Sequence, residues 1–162
     1  MGSTSDLVVM KQAAQFLNDM EIPFEINALS AHRVPEQVAK FAKEAHLRGV
    51  KVIIAGEGGA AHLPRVIAAF TPHPVIGVPV RSSISMGGWD SILSILQMPP
   101  GIPVATMSLD GARNAGILAF QILAISDGAL LQKMLTFKEE LALKILSANK
   151  EQEEVKYLFK DN

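Results

Sequence analysis

Two short runs, Val50–Ala55 and Val75–Val80, are apolar at almost every position. A strand that alternates apolar and polar residues needs cover on one face, whereas an unbroken apolar strand needs cover on both. The neighbouring segments have helical spacing instead. Pro35–Arg48 places Val38, Phe41, Ala42 and Ala45 on one face and is stopped by Gly49, and Leu63–Phe70 carries Pro64 in its first turn. Strands alternating with helices predict an α/β protein: a parallel sheet between two helical layers.

The rest of the chain extends this alternation. Leu7–Met20 reads as a helix, Phe24–Leu29 as an alternating strand, Asp90–Leu96 as a short helix, Val104–Leu109 as a strand and Ala112–Ile125 as a small-residue helix. Two further helices are expected at Ala129–Ser147 and Glu151–Phe159, so that residues 1–162 make one domain with a helical tail at 149–162. The start is unusual. Met1-Gly2-Ser3-Thr4-Ser5-Asp6 runs directly into a helix, although a turn of this composition normally follows a strand. The expectation is a first strand absent or truncated, with Met1 as its last residue and its neighbours left with open edges.

Composition narrows the function. The 162 residues suit one compact domain, and 49% hydrophobic against 19% charged residues leaves apolar surface for burial between subunits. A net charge of 15 − 16 = −1 offers no footprint for nucleic acid or an anionic membrane. No apolar run approaches the ~20 residues of a membrane span, and no basic-then-apolar leader opens the chain, so a cytoplasmic protein is expected. The absence of cysteine removes thiolate nucleophiles, disulfides and cysteine metal sites. His32, His46, His62 and His73 form no H-x-x-x-H pair, so no metal is expected.

The chemistry-bearing residues gather where strands end, which in parallel sheets is where ligands bind. Ser30-Ala31-His32-Arg33 follows the strand at Phe24–Leu29. Histidine gives and takes protons near neutrality, and arginine clamps phosphate or carboxylate with two hydrogen bonds. Gly2-Ser3-Thr4-Ser5-Asp6 precedes a helix whose free amides suit an anion, Asp6 being placed to accept from a ribose hydroxyl; plain N-capping by Ser5 or Asp6 explains the same residues. Gly56-Glu57-Gly58-Gly59-Ala60-Ala61-His62-Leu63-Pro64 follows the second strand and lets a ligand approach the backbone. It fits G-x-G-x-x-A formally, but no acid follows near Gly77–Arg81, which argues against a dinucleotide site. Arg81–Ser91 adds a polar loop with the single tryptophan, Trp89, and no G-x-S-x-G elbow exists for a hydrolase.

Together, Gly2-Ser3-x-Ser5-Asp6, Ser30-Ala31-His32-Arg33-x-Pro35, Gly58-Gly59-Ala60-Ala61-His62-Leu63-Pro64, Gly77-Val78-Pro79-Val80 and Asp90-Ser91 with Gln97-Met98-Pro99 resemble the N5-carboxyaminoimidazole ribonucleotide mutases. These are the bacterial-type, class I branch of the aminoimidazole ribonucleotide carboxylase family. The resemblance implies a flavodoxin-like three-layer fold, a homo-octamer with sites at subunit junctions, and a carboxyl shift in purine synthesis without metal or cofactor. It implies that Ser3, Ser5, Asp6 and Arg33 hold the phosphoribosyl group. Ser30, Ala31, Gly58, Gly59, Ala60, Ala61, His62 and Leu63 line the base and carboxylate, and His32 carries the proton. The alternatives are a carboxylase using free CO2 and a nucleotide-binding module without catalysis. Glu57 stands where the family usually has a small residue and is expected to point away from the carboxylate; Leu109–Asn114 is shorter than in some relatives.

Overall fold

The computed structural model describes residues 1–153, and side chains through Asn149. It falls into two compact units, Met1–Leu123 and the part from Ala124 onward.

The first unit is built on a three-stranded parallel sheet in the order β1 (Ile53–Gly58), β2 (Val75–Val80), β3 (Ala105–Thr106). Ile53 pairs with Val75 and Gly58 with Val80, while Ile76 faces Ala105. β2 is central and buried at every position, as its unbroken apolar run requires. Side chains alternate across the sheet. Ile76, Val78 and Val80 pack with Met10 and Ala13 of α1 (Leu7–Asp19) and with Ala112, Ala115 and Ala119 of α5 (Ala112–Ala124). On the other face Ile53, Ala55 and Val75 pack with Val38 and Ala42 of α2 (Pro35–Glu44) and Leu63 and Ile67 of α3 (His62–Phe70). The three layers are therefore present, with α4 (Trp89–Leu96) also against the sheet. Phe16 and Phe120 meet edge to face at 6.2 Å and tie α1 to α5.

The second strand starts later than its apolar run suggests. Gly49 takes a left-handed conformation after a 3-10 turn at Ala45–Arg48, and the Val50 amide donates back to Ala45, so Val50–Val52 is spent on closing that turn. Pairing then continues through Glu57 and Gly58. Only Ala105–Thr106 of Val104–Leu109 is regular strand, although Met107 and Asp110 still donate to Gly77 and Pro79.

Phe24–Leu29 is not a strand of the sheet. A strand exists only through a neighbour, and what lies beside this segment is Met1: the Leu29 amide donates to the Met1 carbonyl at 2.8 Å and the Met1 nitrogen to Asn27 at 2.9 Å. Gly2 donates in turn to Gly56 of β1 at 3.0 Å. Met1–Gly2 thus bridges the segment and the sheet. Phe24 and Ile26 remain exposed.

In the second unit, α6 runs unbroken over Gly128–Glu153, where two helices were expected. Neither glycine nor proline interrupts it between Ser147 and Glu151, so nothing stops the helix there. Asp127 caps it, accepting from the Ala129 and Leu130 amides. Most of the expected Glu151–Phe159 helix lies outside the described residues.

Candidate active site

The first loop is a reciprocal cap. Ser3 caps the 3-10 turn Thr4–Asp6: its hydroxyl accepts from the Ser5 amide, and its own amide donates to the Asp6 carboxylate at 2.9 Å, while Asp6 holds the N-cap position of α1 without a side-chain cap bond. Asp6 is only 4% exposed, and the bond from the Ser3 amide engages one of its two carboxylate oxygens. Burial pushes the Asp6 carboxyl above the usual aspartate range; the Ser3 amide opposes this, and the negative charge of Glu57 adds to it. Ser5 is exposed at the turn's outer side.

The second loop leads into α2. Ser30 is buried, its hydroxyl accepts from the Arg33 amide at 3.3 Å and its carbonyl from Val34, making a turn that Pro35 converts into helix. Ala31 packs on the sheet, which turns His32 and Arg33 outward. Arg33 extends to the Gly2 carbonyl at 3.5 Å, so the first two loops meet.

The third loop carries backbone strain. Gly59 and Ala61 both have positive φ, +61° and +43°, and for alanine this conformation costs about 1 kcal/mol or more. The turn closes through the Ala61 amide donating to Gly58 and lets α3 begin at His62. His62 comes to 2.5 Å from His32, Nδ1 to Nε2, with ring centroids 4.6 Å apart. The side chain of Leu63 belongs to the core; what it offers the site is its amide.

That amide is already engaged. Glu57 Oε2 accepts from Leu63 N at 2.7 Å, and the rest of the Glu57 carboxylate lies against Gly2. Glu57 therefore points into the site, between the first and third loops, and not away from it. A carboxylate on the first turn of a helix is held by a charge-assisted hydrogen bond and by the helix dipole.

One support, Ser94, was not singled out from sequence, whereas the Arg81–Ser91 loop was. Ser94 on α4 donates to the Ala60 carbonyl and accepts from Arg65 at 2.9 Å, pinning the third loop from behind. Ser82 packs against Gly58, and Ile84 approaches Gly59, so the loop after β2 forms one wall. Asp90 fixes that wall; the Ser85 hydroxyl, at 2.7 Å, holds its carboxyl below the usual range.

Gly2–Asp6, Ser30–Arg33 and Gly58–Leu63 thus converge at one edge of the sheet, with a cation over the first loop and an imidazole pair beside the third. Among the described residues no group of three His, Asp or Glu side chains could hold a metal ion, and no helix is long and apolar enough to cross a membrane.

The AIR carboxylase family matches residues 1–144. The N5-carboxyaminoimidazole ribonucleotide mutase of Pyrococcus abyssi is 54% identical over 87% of this chain and 80% of its own length. The chloroplastic phosphoribosylaminoimidazole carboxylase of Vigna aconitifolia is 51% identical over 86% of this chain, which spans 25% of that longer protein. The crystal structure of Treponema denticola PurE superimposes with a TM-score of 0.83 at 28% identity, covering 93% of this chain and 94% of that one.

Proposed function

The chain belongs to the AIR carboxylase family, and from that premise we propose that it is a mutase converting N5-carboxyaminoimidazole ribonucleotide to 4-carboxyaminoimidazole ribonucleotide in purine synthesis. The observation that carries this reading is the His32–His62 contact at 2.5 Å beside a glycine-rich loop, with Arg33 reaching the Gly2 loop.

The substrate's N-carboxylate is a carbamate. When its nitrogen gains a proton, the N–C bond breaks and CO2 leaves with the electron pair returned to nitrogen. The aminoimidazole left behind is an enamine whose ring carbon attacks CO2; loss of the proton from that carbon restores aromaticity. One group that gives a proton at nitrogen and later takes one from carbon completes the cycle, and His32 fills this role. Such acid–base catalysis contributes ~10²–10⁴-fold, and holding CO2 beside the ring supplies the effective concentration. Ser3, Ser5, Asp6 and Arg33 hold the phosphoribosyl group. Ser30, Ala31 and Gly58–Leu63, including Gly59, Ala60, Ala61 and His62, surround the base and carboxylate. The reaction uses the ribonucleotide alone, without metal or cofactor.

We read the chain as one mutase domain, a reading supported by a family match that runs over residues 1–144; the expected tail at 149–162 lies beyond that match and mostly outside the described residues. The chain works as a cytoplasmic homo-octamer, a number that rests on the resemblance; exposed Ile84, Met86, Trp89, Leu93 and Leu96 supply apolar surface for assembly.

The carboxylase reading is favoured by relatives bearing that name. Incubating the full chain with the N5-carboxylated nucleotide, without bicarbonate, separates the two. Formation of the 4-carboxy isomer is expected. Failure there, with turnover of aminoimidazole ribonucleotide only when bicarbonate is added, would replace the mutase by the carboxylase. No turnover in either arm leaves a binding module.

A further inference from the structure

Glu57 touches two of the three loops of the site, and the mutase chemistry does not use it. Its Oε2 takes the amide of Leu63, the second residue of α3, at 2.7 Å, just beyond the strained Gly59–Ala61 turn. Its other edge lies so close to Gly2 that a side chain at position 2 would collide with it. The carboxylate therefore lies between the first loop, whose Gly2 carbonyl Arg33 reaches, and the third loop, which presents His62, with the buried carboxylate of Asp6 as its electrostatic neighbour.

On the mutase reading the phosphoribosyl group sits at the first loop and the base at the third, so Glu57, which touches both loops, lies between them. A carboxylate on the base then meets two obstacles: the Leu63 amide is occupied, and a like charge stands beside it. A nucleotide without that carboxylate meets neither.

We propose that Glu57 sets the site's preference among nucleotides, holding the Leu63 amide against the ligand's carboxylate and so weakening the carboxylated nucleotides relative to the uncarboxylated one. This rests on the mutase reading of the site. Within that reaction, Glu57 raises both carboxylated states relative to the state in which the carboxylate has become neutral CO2, so it speeds C–N cleavage while weakening substrate binding.

The test compares binding of 4-carboxyaminoimidazole ribonucleotide and aminoimidazole ribonucleotide by calorimetry, for the full chain and for E57Q and E57A. Glutamine keeps an acceptor for Leu63 and removes the charge; alanine removes both. Loss of one like charge near an anionic group is expected to tighten the carboxylated nucleotide about tenfold, and the uncarboxylated one much less. In E57Q, KM for the N5-carboxylated substrate falls together with kcat. Equal changes for the two nucleotides, or weaker binding of the carboxylated one in both variants, overturn the proposal. If the unmodified chain isomerises the substrate but the variants do not discriminate, this inference alone fails. If it neither binds nor converts these nucleotides, the mutase reading fails with it.

Discussion

His32 Nε2 lies 2.5 Å from His62 Nδ1, although the two residues are separated by α2 and β1 in the chain. Two ring nitrogens this close cannot both carry a hydrogen along the same line, so one of them is the acceptor. This contact is the geometry on which the proposed proton-carrying role of His32 rests. If His32 carries the proton as proposed, replacing it by Asn removes that carrier while keeping size and polarity. H32N should lower turnover by ~10²–10⁴-fold with nucleotide affinity retained, and H62N should cause a smaller fall. Turnover of H32N indistinguishable from the unmodified protein would end the role of His32.

A Cβ at position 2 would meet the Glu57 carboxylate, which must shift from its place against the Leu63 amide to admit it. Gly2→Ala should destabilise the fold by about 1–3 kcal/mol through overpacking. Glu57→Ala in the same chain should recover most of that loss, because neighbours in contact are not additive. Urea unfolding of the two single variants and the double variant gives the coupling directly. A coupling near zero would show that Glu57 moves aside without cost.

How far the sequence revealed this site depends on how local each signal is. That His32, Arg33 and the Gly58–Leu63 loop lie near one another was legible from residue type and from turns that open helices, although the segment before His32 is not a strand. The His32–His62 pair was not, since it requires α2 and α3 to lie on the same face of the sheet. The side chain of Glu57 was placed wrongly because its partner is the Leu63 amide, reached only through a left-handed alanine that no propensity favours. Phe24–Leu29 alternates like a strand, but pairing belongs to the neighbour and not to the pattern. The central strand Val75–Val80 was legible to the residue, because burial on both faces is written into every position.

Asp6 links the site to pH. Its carboxyl titrates higher in the folded chain than in the unfolded one, chiefly through burial. The unfolded chain therefore loses this proton first, and stability falls as pH rises from the unfolded to the folded value. The contribution of Asp6 is greatest in acid, and ionised Asp6 weighs against folding at neutral pH. Asp6→Asn keeps an acceptor for the Ser3 amide and should stabilise the chain at neutral pH, the gain vanishing below about pH 3.9. Denaturation midpoints at both pH values check this; a larger gain in acid would reverse the assignment.

Gly77 sits on β2 beneath α4. A Cβ there would lie 2.6 Å from Ile95 Cγ2 and 2.9 Å from Val104 Cγ1, both β-branched side chains in the packed layer. Gly56 on β1 faces the flexible thioether of Met10 instead. Gly77→Ala should cost about 1–3 kcal/mol, more than Gly56→Ala. Equal shifts of the urea midpoint would mean that the layer over Gly77 yields as readily as a methionine.

Leu93 and Leu96 are exposed one turn apart on α4, beside Trp89 and the apolar tip Ile84 and Met86. Left in water, this surface would be a liability; covered by another copy, it brings the wall of the site next to a second chain. A charge at its centre should oppose that contact, because burying an unpaired carboxylate costs several kcal/mol. Leu93→Glu is therefore expected to reduce the assembly toward single chains in light scattering and to lower turnover in parallel, while far-ultraviolet circular dichroism stays unchanged. If the unmodified protein is itself a stable single chain, or if L93E keeps the parent mass, this face is not where copies meet.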